Sequence, residues 1–144
     1  MAIDARIDEL IPHAGAMCLL ERIEHWDDSS VTVTTRTHRD PANPLAGPSG
    51  LRAIHLCEYG AQAMAVHGGL AARARGERAS PGLLVSLRDV ALYRDFVHDL
   101  EGELQVEARR LHATESAWQY SFRVVHAGTL LAQGRATVST VPAS

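Results

Sequence analysis

The chain has 144 residues, of which 46% are hydrophobic and 22% are charged, and its formal net charge is −3. This length suits one domain with its own core, and the small negative charge gives no support for nucleic acid or an anionic membrane as a partner. No apolar run approaches the roughly 18 residues of a membrane-spanning helix, so we expect a single domain over residues 1–144 with no membrane contact.

The cysteine content and the start of the chain predict a cytoplasmic protein. Cys18 and Cys57 stand among apolar neighbours, which favours reduced, buried thiols over a disulfide framework. The opening MAIDARIDEL carries acids where a signal peptide would carry a basic region before a long apolar stretch. Because paired-cysteine spacings, H-E-x-x-H and nucleotide-binding glycine motifs do not occur, we expect no metal and no cofactor.

The first half of the chain contains two predicted strands, a loop and a long helix. Strands are predicted over residues 17–24 and 31–37, and the second, VTVTTRT, alternates and is rich in β-branched residues. Residues 38–50 hold three prolines and two glycines, which predict a loop with a defined path. The one long helix is predicted over residues 50–70; the glycine pair near its end can terminate it, although AARARGER could continue it for another turn or more.

Beyond Pro81 the sequence predicts four strands, in the order LLVSLRDVALY, ELQVEARRLHA, WQYSFRVVHAG and TLLAQGRATVSTV. Ala127 and Gly128 mark a hairpin turn between the last two. One helix cannot cover both faces of a six-stranded sheet. We therefore predict an α+β architecture in which an antiparallel sheet curls around a single central helix, which should be apolar or small on nearly all sides.

Glu58 is the only acid in this predicted helix. At about 100° per residue its side chain falls inside the apolar arc of the helix, and a buried carboxylate must be paired or protonated. Two interpretations stay open. Gln62 or His55, one turn away on the same face, can satisfy a structural carboxylate by a hydrogen bond, whereas an acid in a cleft is also what general acid–base chemistry requires.

Three stretches, taken in order, resemble the hot-dog dehydratases that act on β-hydroxyacyl groups held on acyl carrier protein. LIPHAGAMCLLERIEHWD is similar to their opening, a Pro-His pair followed by a hydrophobic strand, and LCEYGAQAMA resembles their central helix, in which a catalytic Glu precedes a Gln by four residues. DVALYRDFVHDLEGELQVEARR looks like their third strand and the turn that follows it. The nearest subgroup is the dehydratase-like proteins of aryl-polyene and related secondary fatty-acid clusters.

The resemblance implies a hot-dog fold, with about six antiparallel strands wrapped around one central helix, and a 3-hydroxyacyl-[acyl-carrier-protein] dehydratase of fatty-acid or aryl-polyene-type biosynthesis. Glu58 would be the general acid and His13 of the Pro-His pair the catalytic imidazole. Gln62, His55 and Gly50 would bind substrate, with Gly50 ending a glycine-rich entry that lets the thioester approach backbone amides. The partner would be acyl carrier protein bearing a 4′-phosphopantetheine acyl thioester.

One departure from the family pattern keeps alternatives open. The family places its catalytic His in a Gly-His-Phe-Pro-Gly loop, whereas this chain has THRDPANPLAGPSG, with an extra residue between His38 and the proline. His38 and His55 therefore remain alternatives to His13. The function could instead be a hot-dog acyl thioesterase, or a non-catalytic subunit that lends one face of the site to a second dehydratase. We expect either a homodimer or such a heterodimer.

Overall fold

The computed structural model describes residues 6–11, 15–77 and 82–140. Within these ranges, two strands precede one long helix and four strands follow it, in the predicted order. The strands are β1 (Arg22–Trp26), β2 (Ser30–Thr35), β3 (Gly82–Leu92), β4 (Leu104–Ala113), β5 (Ala117–His126) and β6 (Thr129–Thr140). The helices are α1 (Ile7–Leu10) and α2 (Leu56–Ala74), with 3-10 turns at Gly15–Met17, Thr37–Arg39 and Ala53–His55.

The six strands form one antiparallel sheet in the order β1-β2-β4-β5-β6-β3. The predicted hairpin between β5 and β6 is confirmed, since Ala127 and Gly128 both adopt positive φ in a tight turn. The first strand begins at Arg22 rather than at residue 17, because Gly15–Met17 turns as a 3-10 helix. This sheet with its single long helix is the α+β hot-dog arrangement that the resemblance implies.

The helix α2 packs against β2, β4, β5 and β6, and its buried side chains form the centre of the core. The approach is closest at Gly60, where a Cβ atom would come within 2.5 Å of the Phe122 ring. A second close approach lies at Gly69, whose Cβ would meet the Leu10 carbonyl oxygen at 2.9 Å. The glycines in this helix therefore allow close packing, and the helix continues past the glycine pair to Ala74.

The start of α2 corrects the sequence-based expectation. The helix begins at Leu56, not near residue 50, because the residues before it pair with the loop that follows β3. Val97 N donates to Leu51 O at 2.9 Å, and Ala53 N donates to the carbonyl oxygen of Asp95 at 2.9 Å. Tertiary hydrogen bonds thus hold residues 51–53 in place of helical ones.

The edge strand β3 is apolar and exposed. Val85 is 62% exposed and Leu84 is 51% exposed, and Leu87, Val90 and Leu92 continue the row. Leu87 and Leu92 lie opposite Ala136 and Ala132 of β6, which are buried, so both leucines share the sheet face that the helix covers further along. An edge of this kind is a template for pairing with another chain. None of the helices that the structure describes has the length and apolar character to cross a membrane.

Candidate active site

Glu58 lies in the first turn of α2, directly after the 3-10 turn Ala53–His55, which accepts a hydrogen bond from Leu56 N at Ala53 O. Its side chain is half-buried rather than enclosed in the core, which corrects the expectation of a fully buried carboxylate. The reason is its place on a stripe of α2 that this chain's own sheet leaves partly open. The half-buried residues of that stripe are Cys57, Glu58, Ala61, Ala65 and Gly68.

Gln62 holds Glu58 and ties α2 to the segment before β1. Its side chain is fully buried, and its Nε2 donates to Glu58 Oε1 at 3.2 Å. The same Nε2 donates to Met17 O at 2.7 Å, while Oε1 accepts from Leu19 N at 2.9 Å. Because one partner can only accept and the other can only donate, the amide has a single orientation. Of the two partners that the sequence left open for Glu58, Gln62 thus forms a hydrogen bond with it, and a role of Gln62 in substrate binding stays a prediction.

The structure places the candidate histidines differently from one another. His13 lies outside the described residues. His55 is the last residue of the 3-10 turn before α2 and is half-buried. His38 is 1% exposed, and its Nε2 is 2.8 Å from Leu100 O. A carbonyl oxygen only accepts, so Nε2 carries the proton and Nδ1 is the buried nitrogen that lacks a partner in the described part of the chain.

Burial lowers the pKa of His38, so the ring stays neutral at pH 7. The ring is enclosed and its one proton is committed to Leu100 O, which leaves it poorly placed to meet a substrate. His38 therefore fixes the turn Thr37–Arg39 against the loop before β4.

A hydroxyl network next to Glu58 was not anticipated from the sequence. Asn43 Nδ2 donates to Tyr59 OH at 2.9 Å, and Tyr59 OH lies 2.9 Å from Thr37 Oγ1. Thr37 Oγ1 donates in turn to Leu19 O at 2.7 Å. These bonds fasten the proline-containing loop to α2 beside the catalytic candidate. The sequence shows a polar Asn43 within the loop and Tyr59 beside Glu58. It does not indicate that they meet, because the members of the network are far apart along the chain.

Position 50 has no room for a side chain, because the imidazole of His98 packs against the glycine. Its φ is +111°, and a Cβ would lie 2.1 Å from the ring of His98, whose Nδ1 accepts from Leu51 N at 3.1 Å. The Gly50 N–H already donates to Gly47 O at 3.1 Å. A role of Gly50 in substrate binding stays a prediction. It depends on the shape of the glycine-containing segment before α2, because the Gly50 N–H is already hydrogen-bonded.

Arg73, in the last turn of α2, and Arg75, just after the helix, are exposed and lie near Glu9 and Glu77 respectively. In residues 6–11, 15–77 and 82–140, no group of three or more histidine, cysteine or carboxylate side chains is arranged to hold a metal ion. Catalytic roles for Glu58 and His13 stay predictions, and the described residues establish the hydrogen bond between Gln62 and Glu58.

A family model described as ApeP-like: ApeP dehydratase matches residues 5–143. Among solved structures, a chain of the dehydratase heterocomplex ApeI:P from Xenorhabdus doucetiae is 25% identical, with 97% of this chain and 93% of that chain covered and a TM-score of 0.86. AziG from S. sahachiroi is 22% identical, with 93% and 99% covered and a TM-score of 0.62.

A hypothetical thioesterase with coenzyme A from Streptococcus pneumoniae TIGR4 is 14% identical, with 83% of this chain and 84% of that chain covered. Its TM-score of 0.63 indicates a shared fold. A comparison with curated proteins finds no match.

Proposed function

Because the chain belongs to the ApeP-like family of dehydratases, we propose that it removes water from β-hydroxyacyl thioesters carried on acyl carrier protein, in fatty-acid or aryl-polyene-type biosynthesis. The family makes the chain a hydro-lyase, and the carrier, the pathway and the residue roles are the proposal. The observation that carries it is a half-buried glutamate in the first turn of the central helix, oriented by Gln62.

The reaction breaks a C–H bond next to the thioester carbonyl and the C–O bond of the β-hydroxyl, and it forms a carbon–carbon double bond and water. One group must accept the α-proton and another must protonate the leaving hydroxyl. Glu58 donates the second proton in our proposal. Backbone N–H groups at the start of α2 polarise the thioester carbonyl as negative charge develops on it.

His13 is the proposed base. His38 suits this role less well, because its ring is 1% exposed and its Nε2 hydrogen is bonded to Leu100 O. His55 ends the 3-10 turn that leads into α2, three residues before Glu58, and is better placed to line the pocket. Gln62 orients the acid from its buried position, and Gly50 shapes the entry.

We propose further that β3 joins a second dehydratase subunit. The exposed row on β3 and the half-buried stripe of α2 that carries Glu58 are both largely apolar surfaces that the described residues leave open. The related chain from Xenorhabdus doucetiae is part of a dehydratase heterocomplex, which favours a heterodimer over a homodimer. Covering the stripe would complete the site around Glu58.

Replacing Glu58 by Gln tests the catalytic role. Glu58→Gln keeps the side-chain size but removes the exchangeable proton, so we expect kcat/KM for a β-hydroxyacyl-carrier substrate to fall at least about a hundredfold. Mass spectrometry follows loss of water at a constant amount of free thiol. Glu115→Gln, an exposed change in the turn between β4 and β5, is the matched control and should retain activity.

Three outcomes would contradict parts of this proposal. Release of free thiol without loss of water would indicate a thioesterase. Full activity of a folded Glu58→Gln variant would remove Glu58 from the mechanism. A chain that is inactive alone and in which Glu58→Gln has no effect on the activity of the mixed complex would be a non-catalytic partner subunit.

A further inference from the structure

A continuous line of hydrogen bonds joins the proline-containing loop to α2 through the main chain of Leu19, which is fully buried and lies before β1. Its N–H donates to Gln62 Oε1 at 2.9 Å. Its carbonyl oxygen accepts from Thr35 Oγ1 at 2.5 Å and from Thr37 Oγ1 at 2.7 Å. Side chains from α2, from β2 and from the 3-10 turn after β2 thus fix both polar groups of one residue.

On the loop side of Leu19, the hydrogen-bond donors all run in one direction. Asn43 Nδ2 donates to Tyr59 OH at 2.9 Å. Because the Thr37 hydroxyl proton is committed to Leu19 O, Tyr59 is the donor in the 2.9 Å bond between Tyr59 OH and Thr37 Oγ1. Burial raises the pKa of Tyr59 from its ordinary value of 10, so the phenol keeps this proton. Each hydroxyl therefore accepts one bond and donates the next, an arrangement in which neighbouring bonds strengthen one another.

On the helix side, the same direction of donation continues to Glu58. The two hydrogens of Gln62 Nε2 are both used, one by Met17 O at 2.7 Å and one by Glu58 Oε1 at 3.2 Å. Since Oε1 of this buried amide also accepts from Leu19 N, the amide cannot turn without breaking three bonds. A displacement of Leu19 would therefore move the group that holds the carboxylate.

We propose that the hydroxyls of Thr37 and Tyr59 are positioning groups for Glu58. They act through the Leu19 main chain and the Gln62 amide, and not by contact with the substrate. The inference rests on the proposed function, in which Glu58 donates a proton to the leaving hydroxyl. A reacting group that is misplaced by about 1 Å can cost about a hundredfold in rate, so a hydroxyl that acts through two intermediates should cost about tenfold.

Removal of single hydroxyls tests the proposal on the protein together with its partner subunit. Thr37→Val keeps the shape of the side chain, and Tyr59→Phe keeps the ring. We expect each change to lower kcat for dehydration about tenfold while KM stays within about twofold, because the groups that bind the substrate remain. Thr37→Ser, which keeps a hydroxyl at this position, should retain most of kcat.

Two matched controls remove equivalent hydroxyls that lie outside this line of bonds. Thr34 is buried on β2 and its Oγ1 donates to Glu24 Oε1 at 3.0 Å, so Thr34→Val removes a comparable bond. Tyr120 is buried and its hydroxyl lies 2.8 Å from His67 Nδ1, so Tyr120→Phe is the control for the other change. Both controls should retain kcat. Equal losses of kcat in controls and test variants would overturn the proposal, and so would full kcat in the folded test variants.

Hydrogen exchange measured by NMR gives a second readout that needs no turnover. The Leu19 N–H and the side-chain amide of Gln62 should exchange at least about tenfold faster in Thr37→Val than in Thr34→Val, because only the first change releases Leu19. Equal exchange in the two variants would overturn the proposal. Failure of the proposed function is distinguishable: if the unchanged protein performs no dehydration but exchange responds as expected, the positioning of Glu58 stands and only the assigned reaction is wrong.

Discussion

At the scale of single residues, the spacing of Glu58 and Gln62 was the most informative feature of the sequence. Two side chains four apart on a helix meet whatever the rest of the fold does, so their hydrogen bond could be predicted. The contacts of Tyr59 with Thr37 and Asn43 could not, because those partners are brought together only by the path of the loop. The enclosure of His38 was likewise hidden, since burial of a loop histidine leaves no periodic pattern.

The stability of the protein should fall in mild acid because of its buried histidines. His67 is fully buried; Asp27 O lies 3.0 Å from its Nε2 and Tyr120 OH lies 2.8 Å from its Nδ1, so the neutral ring is fully bonded. Burial lowers the pKa of His67 and of His38 from the ordinary value of about 6.5. Below pH 6.5 the unfolded chain therefore binds more protons than the folded one.

The free energy of unfolding then has its full value above about pH 6.5. It decreases as the pH falls from there through the lowered pKa values of the two histidines. Urea unfolding at several pH values between 7.5 and 5 measures this slope. His67→Asn should flatten it, and His112→Asn, at an exposed site on β4, should not. An unchanged slope in folded His67→Asn would contradict this account.

At the scale of elements, the sequence pattern predicted the kind and order of the helix and strands, because alternation and helical periodicity are local. The bounds were less accurate where distant hydrogen bonds decided them. The start of α2 is displaced to Leu56 since residues 51–53 pair with the loop after β3. The sequence left the end of the helix open at the glycine pair, and the helix continues to Ala74 because Gly69 packs against Leu10 of α1.

Two glycines of α2 should respond in opposite ways to alanine. Gly60→Ala places a Cβ against the Phe122 ring in the core, and we expect a loss of about 1–3 kcal/mol of stability despite the better helix propensity. Gly68→Ala meets nothing within 4 Å among the described residues, so it should gain about 0.5–1 kcal/mol. Thermal unfolding of both variants measures the difference. Equal shifts in Tm for the two variants would contradict this expectation and show that Phe122 can move away from residue 60.

At the scale of the whole molecule, the fold class followed from a simple count, one helix for a sheet of six strands. The exposed apolar edge at β3 did not, because LLVSLRDVALY has the composition of any core strand. The strand order places β3 at the edge of the sheet beyond β6, and this position leaves its apolar side chains exposed. What the edge contacts is a property of the assembly and not of one chain.

A lysine on β3 should weaken the association of subunits. Val85 is 62% exposed, the largest value among the apolar side chains of β3 that the structure describes, and Val85→Lys places a charge within this apolar row. We expect the dissociation constant of the dimer to rise at least tenfold. Sedimentation velocity of the chain alone and mixed with its partner measures it. Leu111→Lys, an equally bulky change at an exposed site on β4, is the control. Association that withstands Val85→Lys would exclude β3 as the interface.

The hydrogen bonds between residues 51–53 and the loop after β3 connect the edge strand of the sheet to the start of α2 through only a few residues. Leu92 ends β3, and only three residues later the carbonyl oxygen of Asp95 accepts from Ala53 N, five residues ahead of Glu58. A partner subunit that displaced β3 would therefore also displace the residues that lead into α2. The position of Glu58 would then depend on subunit association through these few hydrogen bonds.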